Sequence, residues 1–110
     1  MNLEEKFNRL ILDLERHCKG VVYSSSIEDY LNCDAYKDIV NIGKKSLLYI
    51  YREMEKRESL ELIWAPLIHS IVGEDLFIPE NIKGRIKDMN SYIKRWLDWN
   101  LYKYMDIKKD

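Results

Sequence analysis

Apolar residues return along this chain of 110 residues every third or fourth position, in blocks, and each block predicts a helix. Leu3, Phe7, Leu10, Ile11, Leu14 and Cys18 fall on one face, and Gly20 follows as a stop, so a first helix is expected up to Gly20. The connection at 21–33 holds Ser24-Ser25-Ser26, whose hydroxyls suit the cap of a short helical turn, IEDYL. A second helix is expected with Asp34 as its N-cap, with Tyr36, Ile39 and Val40 on one face, and with Gly43 in the left-handed conformation that ends helices. A third begins near Lys44 and carries Leu47, Ile50, Tyr51 and Met54 at i, i+3, i+4 and i+7. So short a connection predicts an antiparallel hairpin of these two helices.

The most apolar block comes next. Leu60, Ile63, Trp64, Leu67, Ile68, Ile71 and Val72 cover more than half a helix circumference, which predicts that the fourth helix is the central one. Ser59 is its expected cap, and Pro66 is expected to kink it or delay its start. After Pro79, a single face again collects Ile82, Ile86, Met89, Ile93, Trp96 and Leu97, predicting a long fifth helix to about Trp99 or a little beyond. Residues 1–2 and the tail 105–110 are expected to fray. The fold class is therefore all-α: about five helices in a single domain spanning 1–110, with helix four central and a helix hairpin beside it.

Composition supports a single soluble domain rather than a disordered chain. Apolar residues make up 46%, enough for one core, and a third of the residues are charged with a net of only −1. No basic segment followed by an apolar one opens the chain, so no signal peptide is expected. The longest uncharged run, Leu62 to Gly73, is too short for a membrane span, which needs about 20 residues. Cys18 and Cys33 match no metal spacing, and reduced thiols in a cytoplasm are the simpler reading. Charge is uneven. Residues 82–110 hold eight Lys/Arg against four Asp/Glu, a local net of +4, which leaves −5 for the first 81.

Several segments agree in order with a known pattern. Ala35-Tyr36, Ile39-Val40 and Ile42-Gly43 come first; Ile50 and Glu53-Met54 follow. Trp64, Pro66, Ile68, Ile71 and Gly73-Glu74-Asp75 make a third part, and Gly84, Met89, Trp96-Leu97 and Trp99 a fourth. In this the chain resembles a group of small bacterial all-helical proteins. Their shared pattern runs roughly H-P-A-Y-x-x-I-I-x-M-G, then I-L-x-E-L, then W-x-P-A-L-x-x-I-T-G-E-N, and finally R-G-x-x-x-x-M-x-x-x-W-L-x-W. The resemblance covers about residues 21–100. Cys33-Asp34 stands where His-Pro is usual and Lys83 where Arg is usual, so any role of that histidine would be absent. The resemblance implies a shared helical fold rather than an activity. The hairpin of helices two and three also resembles a single HEAT-type repeat, which by analogy suggests a binding scaffold.

Candidate chemistry is sparse. Gly43-Lys44-Lys45-Ser46 has the end of a phosphate loop, but Asp38 stands where its first glycine belongs and no strand precedes it. His17, Cys18, Cys33 and His69 lack zinc spacing, so no metal or other cofactor is expected. Ser70 adjoins His69, yet neighbours on a helix do not face each other, and no catalytic constellation emerges. The reading is therefore not an enzyme.

Glu74 and Asp75 follow a helix C-terminus, where the macrodipole disfavours acids. Asp75 is expected to cap the turn after Gly73, or both acids to clamp onto Lys83, Arg85 or Lys87, or both to form an acidic rim for a partner. The expected contact set is Trp64, His69, Glu74, Asp75, Arg85 and Trp99, and the expected function is a small non-catalytic module that binds a protein partner, as an inhibitor, antitoxin-like or immunity-like protein. The alternatives are nucleic-acid binding through the basic aromatic last helix, using Lys94, Arg95 and Lys103, and a homo-oligomer that buries the spare aromatics against a second copy.

Overall fold

A computed structural model describes residues 2–24 and 26–104, and in it the apolar stripes become helices. These are α1 (Leu3–Gly20), α2 (Ile27–Leu31), α3 (Asp34–Ile42), α4 (Leu47–Glu53), α5 (Trp64–Val72) and α6 (Ile86–Tyr104), with no strand among the described residues. Short 3-10 turns at Gly43–Ser46, Glu58–Leu60, Gly73–Asp75 and Glu80–Ile82 link them. The expected all-α architecture is the observed one. The tail 105–110, Met1 and Ser25 lie outside the described residues.

Local chemistry explains most of the boundaries. Asn2 is not frayed but is the N-cap of α1: its side chain accepts from the Glu5 amide at 2.8 Å while Glu5 Oε1 accepts from the Asn2 amide at 3.3 Å. Two amides at the helix start are satisfied reciprocally by this capping box. Ser26 caps α2 by accepting from the Glu28 amide. Asp34 is not the cap of α3. Cys33 holds that position without a side-chain bond, and Asp34 lies in the first turn, where its charge still favours the positive helix end.

Ser59 likewise caps nothing, because its hydroxyl donates to Glu15 of α1, and α5 starts later, at Trp64. Pro66 is the third residue of α5, where an amide would have no intrahelical acceptor, so it delays the helix without kinking it. Gly43 (φ 83°) and Gly73 (φ 69°) end α3 and α5 in a region that side chains rarely adopt. The hydroxyl of fully buried Ser46 donates to the Gly43 carbonyl at 2.7 Å, which explains the Gly-Lys-Lys-Ser sequence as a satisfied turn.

Helix α5 is the centre. Trp64, Ala65, Leu67, Ile68 and Val72 are buried, as are Leu60 and Ile63 just before it. It packs against α3 on one side and α6 on the other; α1 covers α3, and α4 packs chiefly on α6. The helices flanking Gly43 thus have different principal neighbours. Phe7, Ile11 and Leu14 of α1, Ile39 of α3, Leu47 and Ile50 of α4, and Ile93 and Leu97 of α6 complete one core, each at 0% exposure. The radius of gyration, 13.8 Å, is near the roughly 13 Å expected for a chain of this length folded around one core. No helix among the described residues is long and apolar enough to cross a membrane.

Candidate functional site

The contact residues expected from sequence separate sharply. Trp64 is corrected: it is 1% exposed and belongs to the core, as its place on the apolar stripe of α5 requires. His69 lies on the exposed side of α5. Its neighbour Ser70 turns to the Tyr36 hydroxyl at 3.0 Å, tying α5 to α3, so Ser70 and His69 form no nucleophile–base pair. Glu74 and Asp75 form an exposed 3-10 turn after Gly73. The three cations expected to clamp them take other carboxylates: Lys83 pairs with Glu80 at 2.8 Å, Arg85 with Asp88 at 3.1 Å and Lys87 with Glu61 at 3.8 Å. Asp75 is engaged within the chain, whereas the Glu74 side chain makes no hydrogen bond or ion pair among the described residues. Arg85 is thus an exposed ion-pair partner of Asp88.

One surface does gather contact chemistry. Along the outside of α6, Tyr92, Arg95, Trp96, Trp99 and Asn100 line an open hollow of about 240 Å³. Their spacing, i, i+3, i+4, i+7 and i+8, puts them on adjoining rows of one helix, beside rather than within the buried row Ile93, Leu97 and Leu101. Trp96 is half-buried and packs on the core; Trp99, one turn on, is 74% exposed. The Asn100 amide donates to the Trp96 carbonyl at 2.7 Å. Arg95 is exposed and makes no ion pair among the described residues. Lys103, also exposed, follows Trp99 at i+4 and so extends the same row. Trp99 was legible in sequence as the aromatic at the stripe's edge. Tyr92, Trp96 and Asn100 line the same hollow, and helical spacing from Trp99 identifies them.

Lys94 is corrected within the basic set. Its Nζ lies 2.8 Å from Glu55 Oε2 and 4.4 Å from the centre of the Tyr51 ring. The hydrogen bond to Glu55 raises the ammonium pKa and lowers that of Glu55. The Tyr51 hydroxyl donates to Asp98 at 3.2 Å, and these groups with Ser91 and Arg95 surround a second, more polar hollow of about 340 Å³. Lys94 therefore joins α6 to α4 and is not presented with Arg95 and Lys103.

The densest cluster of charge is a structural joint. Arg57 donates from Nη1 to Glu15 at 2.7 Å and from Nε to Glu53 at 2.6 Å, with its side chain 24% exposed. Ser59 donates to the other Glu15 oxygen. The Ser59 hydrogen bond, with the Arg57 and Lys19 charges behind it, holds the Glu15 carboxyl below its ordinary value despite partial burial. Each carboxylate oxygen of Glu15 is filled from within, so the cluster fastens α1 to the α4–α5 connection.

His17 donates from Nε2 to the Asp29 carbonyl at 2.7 Å, fixing α2 against α1. Cys18 and Cys33 are free thiols, and burial pushes that of Cys18 up to about 11, far from the thiolate a nucleophile needs. Among the described residues no three His, Cys, Asp or Glu side chains gather as a metal site. Comparison with family models, with curated proteins and with solved structures finds no match to this chain.

Proposed function

We propose that this chain is a small protein-interaction module without catalytic chemistry of its own, of the kind that inhibits, neutralises or confers immunity against a protein partner, and that the outer face of α6 is its contact surface. The observation that carries the reading is Trp99, 74% exposed beside Arg95 in a hollow walled by Tyr92 and Trp96. An indole held out by a rigid helix is hydrophobic area that folding leaves uncovered, and tryptophan, tyrosine and arginine are the side chains that dominate interface energetics. The resemblance over residues 21–100 supports a bacterial helical scaffold, and the two free thiols support a reducing cytoplasm.

A second reading has its own observation. Arg95 and Lys103 are exposed and share the aromatic face, so a single-stranded nucleic acid would find bases to stack and cations for its phosphates. With Lys94 turned to Glu55 and the chain at net −1, that electrostatic footprint is small. Affinity capture from a lysate of the source cell, with and without nuclease, separates the two. One protein retained under both conditions by the wild type and lost with Trp99→Ala supports the module. Retention abolished by nuclease transfers the face to nucleic acid, and capture indifferent to Trp99→Ala removes α6 as the surface.

A further inference from the structure

The connection from α5 to α6 presents chemistry opposite in charge to the α6 face. From Gly73 to Glu80 the chain holds Glu74, Asp75 and Glu80 and no Lys or Arg. Leu76 is buried and Ile78 half-buried, while Phe77 between them is 68% exposed. Leu76 has extended backbone (φ −92°, ψ 117°), and extended chain alternates its side chains, so position 77 points outward whatever residue it holds. Folding does not require an aromatic there. Glu74 is exposed and unpaired among the described residues, and Glu80 has only the exposed Lys83.

The α6 face complements this tip. Its hollow, about 240 Å³, exceeds the roughly 150 Å³ that accommodates a benzene-sized ring. Tyr92, Trp96 and Trp99 offer aromatic walls, and Arg95 and Lys103 offer cations without ion-pair partners among the described residues. Among the described residues the hollow is lined by α6 residues alone, and Phe77 is not one of them. Among the described residues both halves are therefore open on one molecule, with matching apolar chemistry and opposite charge.

We propose that this chain associates with a second copy of itself, the Phe77 tip of one entering the Tyr92–Trp96–Trp99 hollow of the other, with Glu74 meeting Arg95. The proposal rests on the reading of α6 as a contact surface and takes a second copy, in place of a foreign target, as what covers it. A hydrophobic anchor supplies the affinity, and the flanking charges set the register.

Sedimentation equilibrium of the full chain across a wide concentration range tests it. The wild type should rise above the monomer mass. Phe77→Ser and Trp99→Ala should each weaken association about 30-fold or more, as loss of an interface anchor does, with unchanged circular dichroism and Tm. Phe77→Ser keeps the hollow and Trp99→Ala keeps the tip, so an equimolar mixture of the two should recover a one-to-one pair. A wild type that stays monomeric at its highest soluble concentration overturns the proposal, as does association indifferent to either substitution or a mixture that remains monomeric. A monomeric chain that still captures a protein through Trp99 rejects the second copy while leaving the α6 surface standing. A monomer that binds oligothymidylate through the same residue rejects the second copy and assigns the face to nucleic acid.

Discussion

Arg57 and Arg95 carry the same guanidinium in very different settings. Arg57 is 24% exposed, and its Nε and Nη1 meet Glu53 and Glu15 from two other parts of the fold. Arg95 stands on the outside of α6 with aromatic neighbours and no ion-pair partner among the described residues. The tryptophans repeat the contrast. Trp64 is 1% exposed at the start of the central helix, and Trp99 is 74% exposed near the end of the last one. Residue type therefore does not separate buried support from open surface in this molecule. What separates them is whether the fold has already supplied each group with a partner.

The comparison breaks most readily at Trp64. Trp64→Ala should destabilise by about 4 kcal/mol, the usual cost of emptying a buried aromatic site, and lower Tm by more than about 15 °C. Denaturant unfolding measures it, and a mild effect would mean that Trp64 is not a wall of the core. Arg57→Ala comes next. It leaves Glu15 and Glu53 facing each other without their shared cation, at about 2 kcal/mol for two partly exposed charge-assisted bonds. Arg57→Lys should recover only part, since a lysine restores the charge without the fork that reaches both carboxylates.

Much of this contrast could be read in the sequence, and each miss has its own physical cause. Helical stripes placed Ile39, Ile50, Ile68, Ile93 and Leu97 in the core, because periodicity reports a face directly. The same stripe holds Trp64, so its position points to the core although its residue type suits a contact. Ser59 was read as a cap because capping is a local rule; its actual partner, Glu15, is 44 residues away. Lys94 was read as one of a basic set, and only the packing of α4 on α6 reveals Glu55 and Tyr51 beside it. Phe77 was passed over because a single aromatic in a connection has no period. Its signal lies in the alternation of buried Leu76, exposed Phe77 and half-buried Ile78.

Smaller effects sharpen the comparison. Glu15 has a folded pKa below its ordinary 4.5, so it stabilises the fold above that value and the contribution fades as pH falls through the folded pKa. Glu15→Gln should therefore flatten the acid limb of the stability profile relative to the wild type, read as Tm against pH from neutral to below 4.5. An identical acid limb in both proteins would place the linkage on other carboxylates. The smallest change in stability belongs to Trp99→Ala, within about 0.5 kcal/mol, because the side chain supports nothing inside the fold. A large loss of Tm in that variant would make Trp99 a structural residue and end the contrast with Trp64.

The depths of the tryptophans have an optical consequence. Indole emission shifts to the blue in an apolar surrounding and to the red in water, and only an accessible ring is quenched by a dissolved iodide ion. Trp64, Trp96 and Trp99 stand at three depths, fully buried, half-buried and open. Unfolding should therefore appear as a red shift dominated by Trp64, with little change in the light that Trp99 already emits into solvent. Occupation of the α6 hollow should do the reverse, protecting Trp99 from iodide while the Trp64 component stays fixed. The chain thus carries an internal pair of reporters, one for its own integrity and one for its company, readable without any label.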